Sequence, residues 1–286
     1  MIHSMTGFGK AFTQLPTKKI TVEVKSLNSK SLDLNVRLPL TYREKELLLR
    51  NTIALALERG KVDFSLYVEV TAEETSSKIN APIVHSYIKQ MQDIIPNADV
   101  TELMKMAVRM PDALKVERIE LDENEWEKIE SVIQQALDNI QSFRRSEGKS
   151  LEEDFRFRIQ NIRDYMEKAI FLDKERIDGV KERLRSNLLE MKVNVDENRF
   201  EQEVIYYLEK MDITEEKVRL SNHLNYFLET LSGTEANGRK LGFITQEMGR
   251  EINTMGSKSN HAEMQKFVVQ MKDELEKIKE QVLNVL

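Results

Sequence analysis

Long runs of apolar residues at helical spacing fill the second half of the chain and restrict it to a largely helical fold. From Leu151 to Ile170, and again from Met264 to Val282, apolar side chains recur at steps of three and four, which places them on one stripe of a helix. The final stripe alternates these steps and is typical of a coiled coil or bundle. A single helix over residues 149–190 would be about 60 Å long, so we expect it to pack on a partner or project as an arm.

The first part of the chain shows the alternation of β-strands instead. Residues 20–24 and 32–36 alternate apolar and polar side chains, which is the period of a half-buried strand. We expect these two segments to form an antiparallel hairpin. A helix is predicted over residues 42–58 and another strand over residues 62–70. The Gly-rich segment from Met5 to Gly9 predicts an edge strand or a bulge.

These patterns predict an α+β protein, with an N-terminal antiparallel β-sheet and a crossing helix followed by an extended helical domain with long coiled-coil-like helices. We expect an N-terminal β-rich domain over residues 1–75, a helical arm region over 76–200 and a C-terminal helical domain over 201–286. A stripe of apolar residues from Trp126 to Phe143 lies in the arm. A short break is predicted at Ser146–Lys149, before the next long helix.

Composition excludes several classes of function. The 286 residues include no cysteine, so disulfides, zinc–thiolate sites and thiol catalysis are excluded, and a reducing cytoplasm is expected. No apolar run resembles a signal peptide or could cross a bilayer, so no membrane association is expected. The net charge is −6, but residues 1–40 hold six basic and two acidic side chains. This asymmetry is compatible with an anionic ligand at the N-terminal part, although ordinary charge scatter would also produce it.

Two helical segments carry polar side chains that are more varied than those of an ordinary solvated helix. The segment from Gly238 to Asn260 has an apolar stripe, and its other faces mix amide, carboxylate, guanidinium and ammonium groups. Such groups suit a phosphate and a metal ion. In the second segment, four polar residues fall at steps of four, three and four and therefore share one face. They are Asp212, Glu216, Arg219 and His223.

Each segment holds two carboxylates four residues apart, Asp212 with Glu216 and Glu247 with Glu251. Such pairs repel each other on an isolated helix, and a divalent cation would reverse that effect. Four oxygen ligands suit Mn²⁺ or Mg²⁺. His223 could add a nitrogen ligand or transfer protons near neutral pH.

The plainer alternative is that both acidic pairs lie on solvated helix faces and have no function. Glu215–Arg219 and Glu247–Arg250 would then be surface ion pairs, and a single histidine on a helix is more often packed or solvated than a ligand.

Five blocks of the sequence resemble the YicC/YloC family of bacterial endoribonucleases. Residues 3–9 are H-S-M-T-G-F-G and resemble the family's S-M-T-G-Y/F-G start. Residues 22–33, V-E-V-K-S-L-N-S-K-S-L-D, and residues 58–62, E-R-G-K-V, match two further blocks. The segments over residues 212–223 and 238–258 complete the pattern. Together these blocks are specific, whereas any one of them alone would not be.

The resemblance is weak between residues 75 and 145, and the chain departs from the family pattern at three positions. Gly242 replaces the acid of the family's R-K-L-D-F, so this position offers no carboxylate here. Gly249 replaces the usual asparagine before Arg250. Ser146 stands where the family's G-E-G-K begins.

The resemblance implies metal-dependent cleavage of single-stranded or hairpin RNA in the cytoplasm by a homo-oligomer, a hexamer, whose subunits enclose a basic channel. With the residues above, it leads to a hypothesis for the site. The metal ligands for Mn²⁺ or Mg²⁺ would be Asp212, Glu216, Glu247 and Glu251. The catalytic residues would be Glu216, His223, Glu247, Arg250 and Glu251. The RNA-binding residues would be Lys10, Lys25, Lys30, Arg219, Arg239, Lys240, Gln246, Asn253 and Lys258.

Two other classes of function are compatible with the same residues. A non-catalytic RNA-binding adaptor that recruits another nuclease would use the basic residues, and the carboxylates would have no function. A purely structural oligomer would use both clusters as ion-pair networks between subunits.

Overall fold

The structure, a computed structural model, describes residues 2–70, 78–115, 122–190, 197–233 and 238–286. The strands are β1 (Gly7–Gln14), β2 (Lys18–Leu27), β3 (Leu32–Arg37), β4 (Gly60–Val70), β5 (Lys78–Ile79) and β6 (Leu114–Lys115). The helices are α1 (Glu46–Leu57), α2 (Ala81–Ile94), α3 (Val100–Ala107), α4 (Glu123–Phe171), α5 (Asp173–Glu190), α6 (Glu197–Met211), α7 (Thr214–Leu231), α8 (Gly238–Lys258) and α9 (Ala262–Val282). A 3₁₀ turn over Leu40–Lys45 precedes α1. The α+β class predicted from the sequence is confirmed.

The N-terminal sheet has four strands in the order β1-β2-β4-β3. The predicted hairpin between β2 and β3 is wrong, because β4 lies between them. β4 pairs antiparallel with β2 along ten residues and parallel with β3, so the sheet is mixed and not wholly antiparallel. The chain goes from β3 through α1 to β4, and parallel strands require such a crossover. β1 lies at the edge of the sheet, as predicted.

Helix α4 is continuous over 49 residues, about 73 Å at 1.5 Å per residue. The predicted break at Ser146–Lys149 is therefore wrong, and so is a single helix over 149–190, because the interruption lies at Leu172. Gly148 lies where the N-terminal segment crosses the helix, and a Cβ there would be 2.1 Å from the main-chain oxygen of Ile2. The glycine permits a close approach to the backbone of that segment and does not end the helix.

Two apolar cores share α4. The first half of the helix packs with α1 and the inner face of the sheet, and the second half packs with α7, α8 and α9. A third, small cluster lies between α2 and α3 around Val84 and Ala107. The predicted stripe of α9 is buried throughout and confirms the bundle. It consists of Met264, Val268, Met271, Leu275, Ile278 and Val282. In the ranges given above, no helix is both long and apolar enough to cross a membrane.

The segments at the two ends of the chain pair with each other. The amide of Met5 donates to the main-chain oxygen of Asn284 at 2.8 Å, and the amide of Leu286 donates to that of His3 at 3.0 Å. The buried Arg144 guanidinium binds the same region, donating to Ser26 Oγ and to the main-chain oxygen of Met5 at 3.2 Å. The opening block, residues 3–9, is thus held in the fold by backbone pairing and by Arg144.

Candidate active site on helices α7 and α8

Helices α7 and α8 pack side by side and run antiparallel, because the end of α8 meets the beginning of α7. Their facing sides supply much of the C-terminal core. On α8 the stripe predicted from the sequence is buried at every position, which confirms that interpretation. Its members are Leu241, Ile244, Met248, Ile252 and Met255. The polar residues of the hypothesis lie along the edges of this apolar contact.

Lys258 joins the two helices. Its Nζ lies 2.8 Å from Glu216 Oε1 and donates to the main-chain oxygen of Asp212 at 2.9 Å. Glu216 is nearly completely buried, and its second oxygen, Oε2, is buried with no hydrogen-bond partner among the described residues. The sequence predicted Lys258 as a phosphate ligand, whereas here it neutralises a predicted metal ligand.

Asp212 precedes α7 and is already engaged in the fold. Its Oδ1 accepts hydrogen bonds from the hydroxyl of Thr214 at 2.7 Å and from the amide of Thr214 at 3.0 Å. The hydroxyl is the main cause of a lowered pKa of Asp212, and the amide hydrogen bond and the charges of Lys258 and Arg176 act in the same direction. These hydrogen bonds fix the start of the helix.

Arg176 of α5 is a residue that the sequence did not reveal. Its buried guanidinium donates to the main-chain oxygen of Lys258 at 2.7 Å and to that of Met211 at 2.9 Å. It also forms an ion pair of 2.6 Å with Asp173. Arg176 therefore holds the last turn of α8 against the end of α6, just before α7, and so positions the Lys258–Glu216 pair. An arginine within a stretch of alternating charges gave no distinguishing signal.

The two carboxylates of α8 have different surroundings. Glu247 is part of an exposed ion pair with Arg250 at 2.8 Å. Glu251 is only 9% exposed, and within the described ranges its carboxylate has no hydrogen-bond or ion-pair partner. Although most of the residue is buried, neither carboxylate oxygen of Glu251 is among the described buried atoms that lack a hydrogen-bond partner, so solvent reaches the carboxylate and a cation could bind it.

The four predicted metal ligands do not form one site within the single chain. Across the part of the chain that the structure describes, no group of three or more His, Asp or Glu side chains could hold a metal ion. Glu247 and Glu251, one helical turn apart, offer two carboxylates. Mg²⁺ is commonly held by one or two carboxylates together with substrate phosphates and water. The residues thus fit a divalent ion that shares its coordination with a bound phosphate.

Cationic side chains line the exposed surface of the same two helices. Arg219 pairs with Glu215, one turn earlier on α7. The Arg239 guanidinium lies 5.8 Å from the ring centre of Phe243, and Lys240 Nζ lies 4.9 Å from that of Tyr226. The sequence-based hypothesis omitted both aromatic residues.

The other predicted residues lie in two places, on helices α7 and α8 and on the N-terminal sheet. Gln246 and Asn253 are exposed on α8, and His223 is half-buried on α7. Lys10 and Lys25 belong to the N-terminal sheet, where both lie near Glu23, at 2.9 Å and 3.9 Å. Lys30 is exposed in the β2–β3 loop. The lysines at positions 10, 25 and 30 therefore form a surface separate from the α7–α8 pair.

Carboxylates beside a row of cations on one helix pair are the features of a protein that acts on a phosphodiester. The family described as Endoribonuclease YicC-like, N-terminal region, matches residues 2–153. Its counterpart, Endoribonuclease YicC-like, C-terminal, matches residues 170–286. The chain belongs to this YicC-like endoribonuclease family.

Two curated relatives resemble the chain along its entire length. A protein of Clostridioides difficile (strain 630) is 33% identical over 293 residues, covering 100% of both chains. A protein of Haemophilus influenzae (strain ATCC 51907 / DSM 11121 / KW20 / Rd) is 29% identical with the same coverage. Each is described as a probable endoribonuclease YicC. The resemblance seen in five sequence blocks is thus confirmed as family membership over the whole chain.

Proposed function

We propose that the protein is an endoribonuclease that hydrolyses phosphodiester bonds in single-stranded or hairpin RNA, and that its active site lies on α7 and α8. Family membership supports the reaction class. The observation that supports the place is Glu251, a residue only 9% exposed whose carboxylate has no partner among the described residues. Since its oxygens are not enclosed, this carboxylate is free to bind a cation.

We propose that this ligand is Mn²⁺ or Mg²⁺, held by Glu247 and Glu251 together with phosphate oxygens of the RNA. The bound ion would activate water and offset negative charge on the scissile phosphate. Glu216 would not add a ligand within the single chain, because no group of three acidic or histidine side chains that could hold a metal ion occurs among the described residues and its carboxylate is paired with Lys258. Asp212 would have a supporting role, because its Oδ1 accepts two hydrogen bonds from Thr214 at the start of α7.

The remaining side chains have roles that follow from their chemistry. Arg250 is exposed beside Glu247 and would stabilise charge that develops on the phosphate, because guanidinium groups bind phosphates in a bidentate manner. His223 would move the proton of the attacking or leaving oxygen, since imidazole titrates near neutral pH. The residues that would hold the flanking phosphates are Arg219, Arg239, Lys240, Gln246 and Asn253, whereas Lys258 would stay bound to Glu216.

We further propose that the protein acts in the cytoplasm as a homo-oligomer, a hexamer. Several exposed apolar side chains on α6 support association, since Ile205, Tyr206 and Tyr207 are all largely accessible in the single chain. A neighbouring subunit would also be able to supply ligands that the single chain lacks. Light scattering after size-exclusion chromatography would test the hexamer by the mass of the particle.

Cleavage of an end-labelled RNA hairpin, with Mn²⁺ or with EDTA, tests the reaction. We expect cleavage only with the metal ion. Glu251→Gln should abolish cleavage and leave RNA binding and the oligomer intact, because the amide keeps the shape and loses the charge. Glu229→Gln is the matched control, since this carboxylate is exposed at the far end of α7. It should cleave like the wild type.

The same assay distinguishes the alternatives. Binding of the hairpin without cleavage under either condition would overturn the enzyme and favour an RNA-binding adaptor. Loss of the oligomer in Glu251→Gln would favour a structural role for the carboxylates.

A further inference from the structure

One of the two faces of the N-terminal sheet is covered by no helix among the residues that the structure describes. Helices α1 and α4 pack on the inner face, through buried residues such as Val22, Val24 and Phe64. On the other face, which we call the outer face, the alternate residues of every strand are directed away from that core. The strand pairing defines its central rows: Phe8 with Lys25, and Phe12 with Thr21 and Tyr67.

Three aromatic side chains on the outer face are exposed. Phe8 is 41% accessible, Phe12 64% and Tyr67 49%. Phe8 and Phe12 are four residues apart on β1, about 14 Å, and Tyr67 is two strands away from Phe12, about 10 Å. Within the described ranges these rings make no contact with one another. Each ring therefore offers a separate flat surface.

Cationic groups surround these rings. Lys25 Nζ lies 5.7 Å from the ring centre of Phe8, and Lys19 Nζ lies 5.4 Å from that of Phe12. Lys25, Arg37 and Tyr67 also line a shallow depression of about 190 Å³ in the middle of the face, together with Ser65 and the carboxylates of Glu23 and Asp63. Residues 2–70 hold eleven basic and seven acidic side chains, against a net charge of −6 for the whole chain. The part that carries this face is thus net positive within an acidic chain, because it holds few acidic residues.

We propose that the outer face binds single-stranded RNA by stacking unpaired bases on Phe8, Phe12 and Tyr67, while Lys19, Lys25 and Arg37 contact the phosphates. Aromatic residues on an open β-sheet, interspersed with cations, are a recurrent means of holding unpaired nucleotides.

RNA is favoured over a second copy of the chain as the occupant of this face. Ammonium, guanidinium, hydroxyl and carboxylate groups separate the rings, so the rings form no continuous apolar patch such as an obligate subunit contact would bury. The proposal rests on the proposed function, because the bound strand would be the substrate, held at a distance from α7 and α8.

Anisotropy of a labelled, unstructured RNA oligomer, measured on the full chain in EDTA to prevent cleavage, tests the proposal. Phe12→Leu and Tyr67→Leu should each weaken binding by about 5-fold or more, because each removes one stacking surface. Tyr67→Phe should bind like the wild type. The matched control is Phe157→Leu on α4, where a phenylalanine with the same 64% accessibility lies outside the sheet. It should have no effect.

Two further measurements sharpen the test. An RNA duplex of the same length should bind less tightly than the single strand and be insensitive to Tyr67→Leu, because its bases are already paired and stacked. Tyr67→Trp should gain fluorescence that the single strand quenches, against the constant background of the buried Trp126.

Three outcomes would overturn the proposal: unchanged binding in Phe12→Leu and Tyr67→Leu, equal losses for duplex and single strand, or loss of the oligomer in these variants. The last would assign the face to a second copy. A failure of the proposed function is distinguishable, since a wild type that binds RNA through this face and does not cleave it would leave the inference standing.

Discussion

Lys258 and Glu216 form an ion pair of 2.8 Å in which the carboxylate side chain is 5% exposed and the ammonium side chain 27% exposed. The pair joins the end of α8 to the first turn of α7. It therefore sets how the two helices of the candidate site lie against each other.

Replacing Lys258 should destabilise the fold because it leaves the Glu216 carboxylate buried without its cation. Breaking a buried pair from one side costs about 3–5 kcal/mol, and partial exposure of the lysine reduces this to about 2–3 kcal/mol for Lys258→Met. Urea unfolding would measure the loss. Lys266→Met, which breaks an exposed pair with Glu263, should cost less than about 0.5 kcal/mol. Equal stability of the two variants would contradict the buried pair.

Arg176→Lys should also destabilise the protein, although it preserves the charge. A lysine cannot donate to the main-chain oxygens of Met211 and Lys258 together with the fixed geometry of a guanidinium. Leaving a buried carbonyl without a donor costs about 1–3 kcal/mol, which corresponds to a fall in melting temperature of about 2–10 °C for a chain of this size. Calorimetry would measure it.

The control for Arg176→Lys is Arg183→Lys at an exposed position on the same helix. This variant should have the same melting temperature as the wild type. An identical decrease in both variants would show that the buried hydrogen bonds of Arg176 contribute nothing.

Asp212 should make the stability of the protein vary with pH in the acidic range. Its pKa in the folded state is lowered from 3.8, first by the Thr214 hydroxyl and then by the Thr214 amide. A lowered folded pKa contributes stability that is fully present above the unfolded pKa and is lost as the pH falls through the folded value. Asp212→Asn keeps an acceptor for Thr214 and cannot titrate in this range. Its stability should therefore fall less steeply than that of the wild type below about pH 5.

Urea midpoints measured at a series of pH values would follow this difference. Thr214→Val, which removes the hydroxyl and keeps the amide donor, should give an intermediate slope. Parallel curves for the wild type and Asp212→Asn would contradict the prediction.

Substitution of alanine for glycine should change the stability of the protein in opposite directions at two positions, one on α4 and one on α5. At Gly148 an added Cβ would be 2.1 Å from the main-chain oxygen of Ile2, so Gly148→Ala must displace the N-terminal segment and lower stability. At Gly179 an added Cβ would have no neighbouring atom within 4 Å. Gly179→Ala should therefore stabilise α5 by about 0.5–1 kcal/mol through helix propensity. Chemical denaturation of both variants would show the opposite signs, and a stabilised Gly148→Ala would contradict the close approach.

The helices were the part of this fold that the sequence could predict, because their apolar stripes report burial locally. The α8 stripe ending at Met255 and the α9 stripe beginning at Met264 are buried as expected. Strand order was beyond such reasoning, since the insertion of β4 between β2 and β3 depends on contacts distant in sequence. The predicted helix break around Gly148 was wrong for a related reason. A glycine often marks the end of a helix, but this one lies against a segment about 145 residues away in the sequence.

The sequence indicated which types of residue the candidate site contains, but it did not indicate which of these residues contact one another. The sequence indicated Glu251 and Glu216 as carboxylates of interest, and both are buried. It could not show that Lys258 neutralises Glu216, nor that Arg176 binds the end of α8. Such interactions join separate helices, and the residues that make them look like ordinary surface charges in the linear sequence.

The pairing of the chain's two end segments has a consequence for the timing of biosynthesis. Ser4 forms a β-bridge with Val285, so during synthesis this segment waits for a partner that lies 281 residues later in the chain. At about 5–20 residues per second, the wait is on the order of tens of seconds. Throughout that interval the Ser4 segment depends on other partners, such as the main-chain oxygen of Arg144, on water or on a chaperone. The bridge therefore forms only after the helices that precede Val285 have been synthesised.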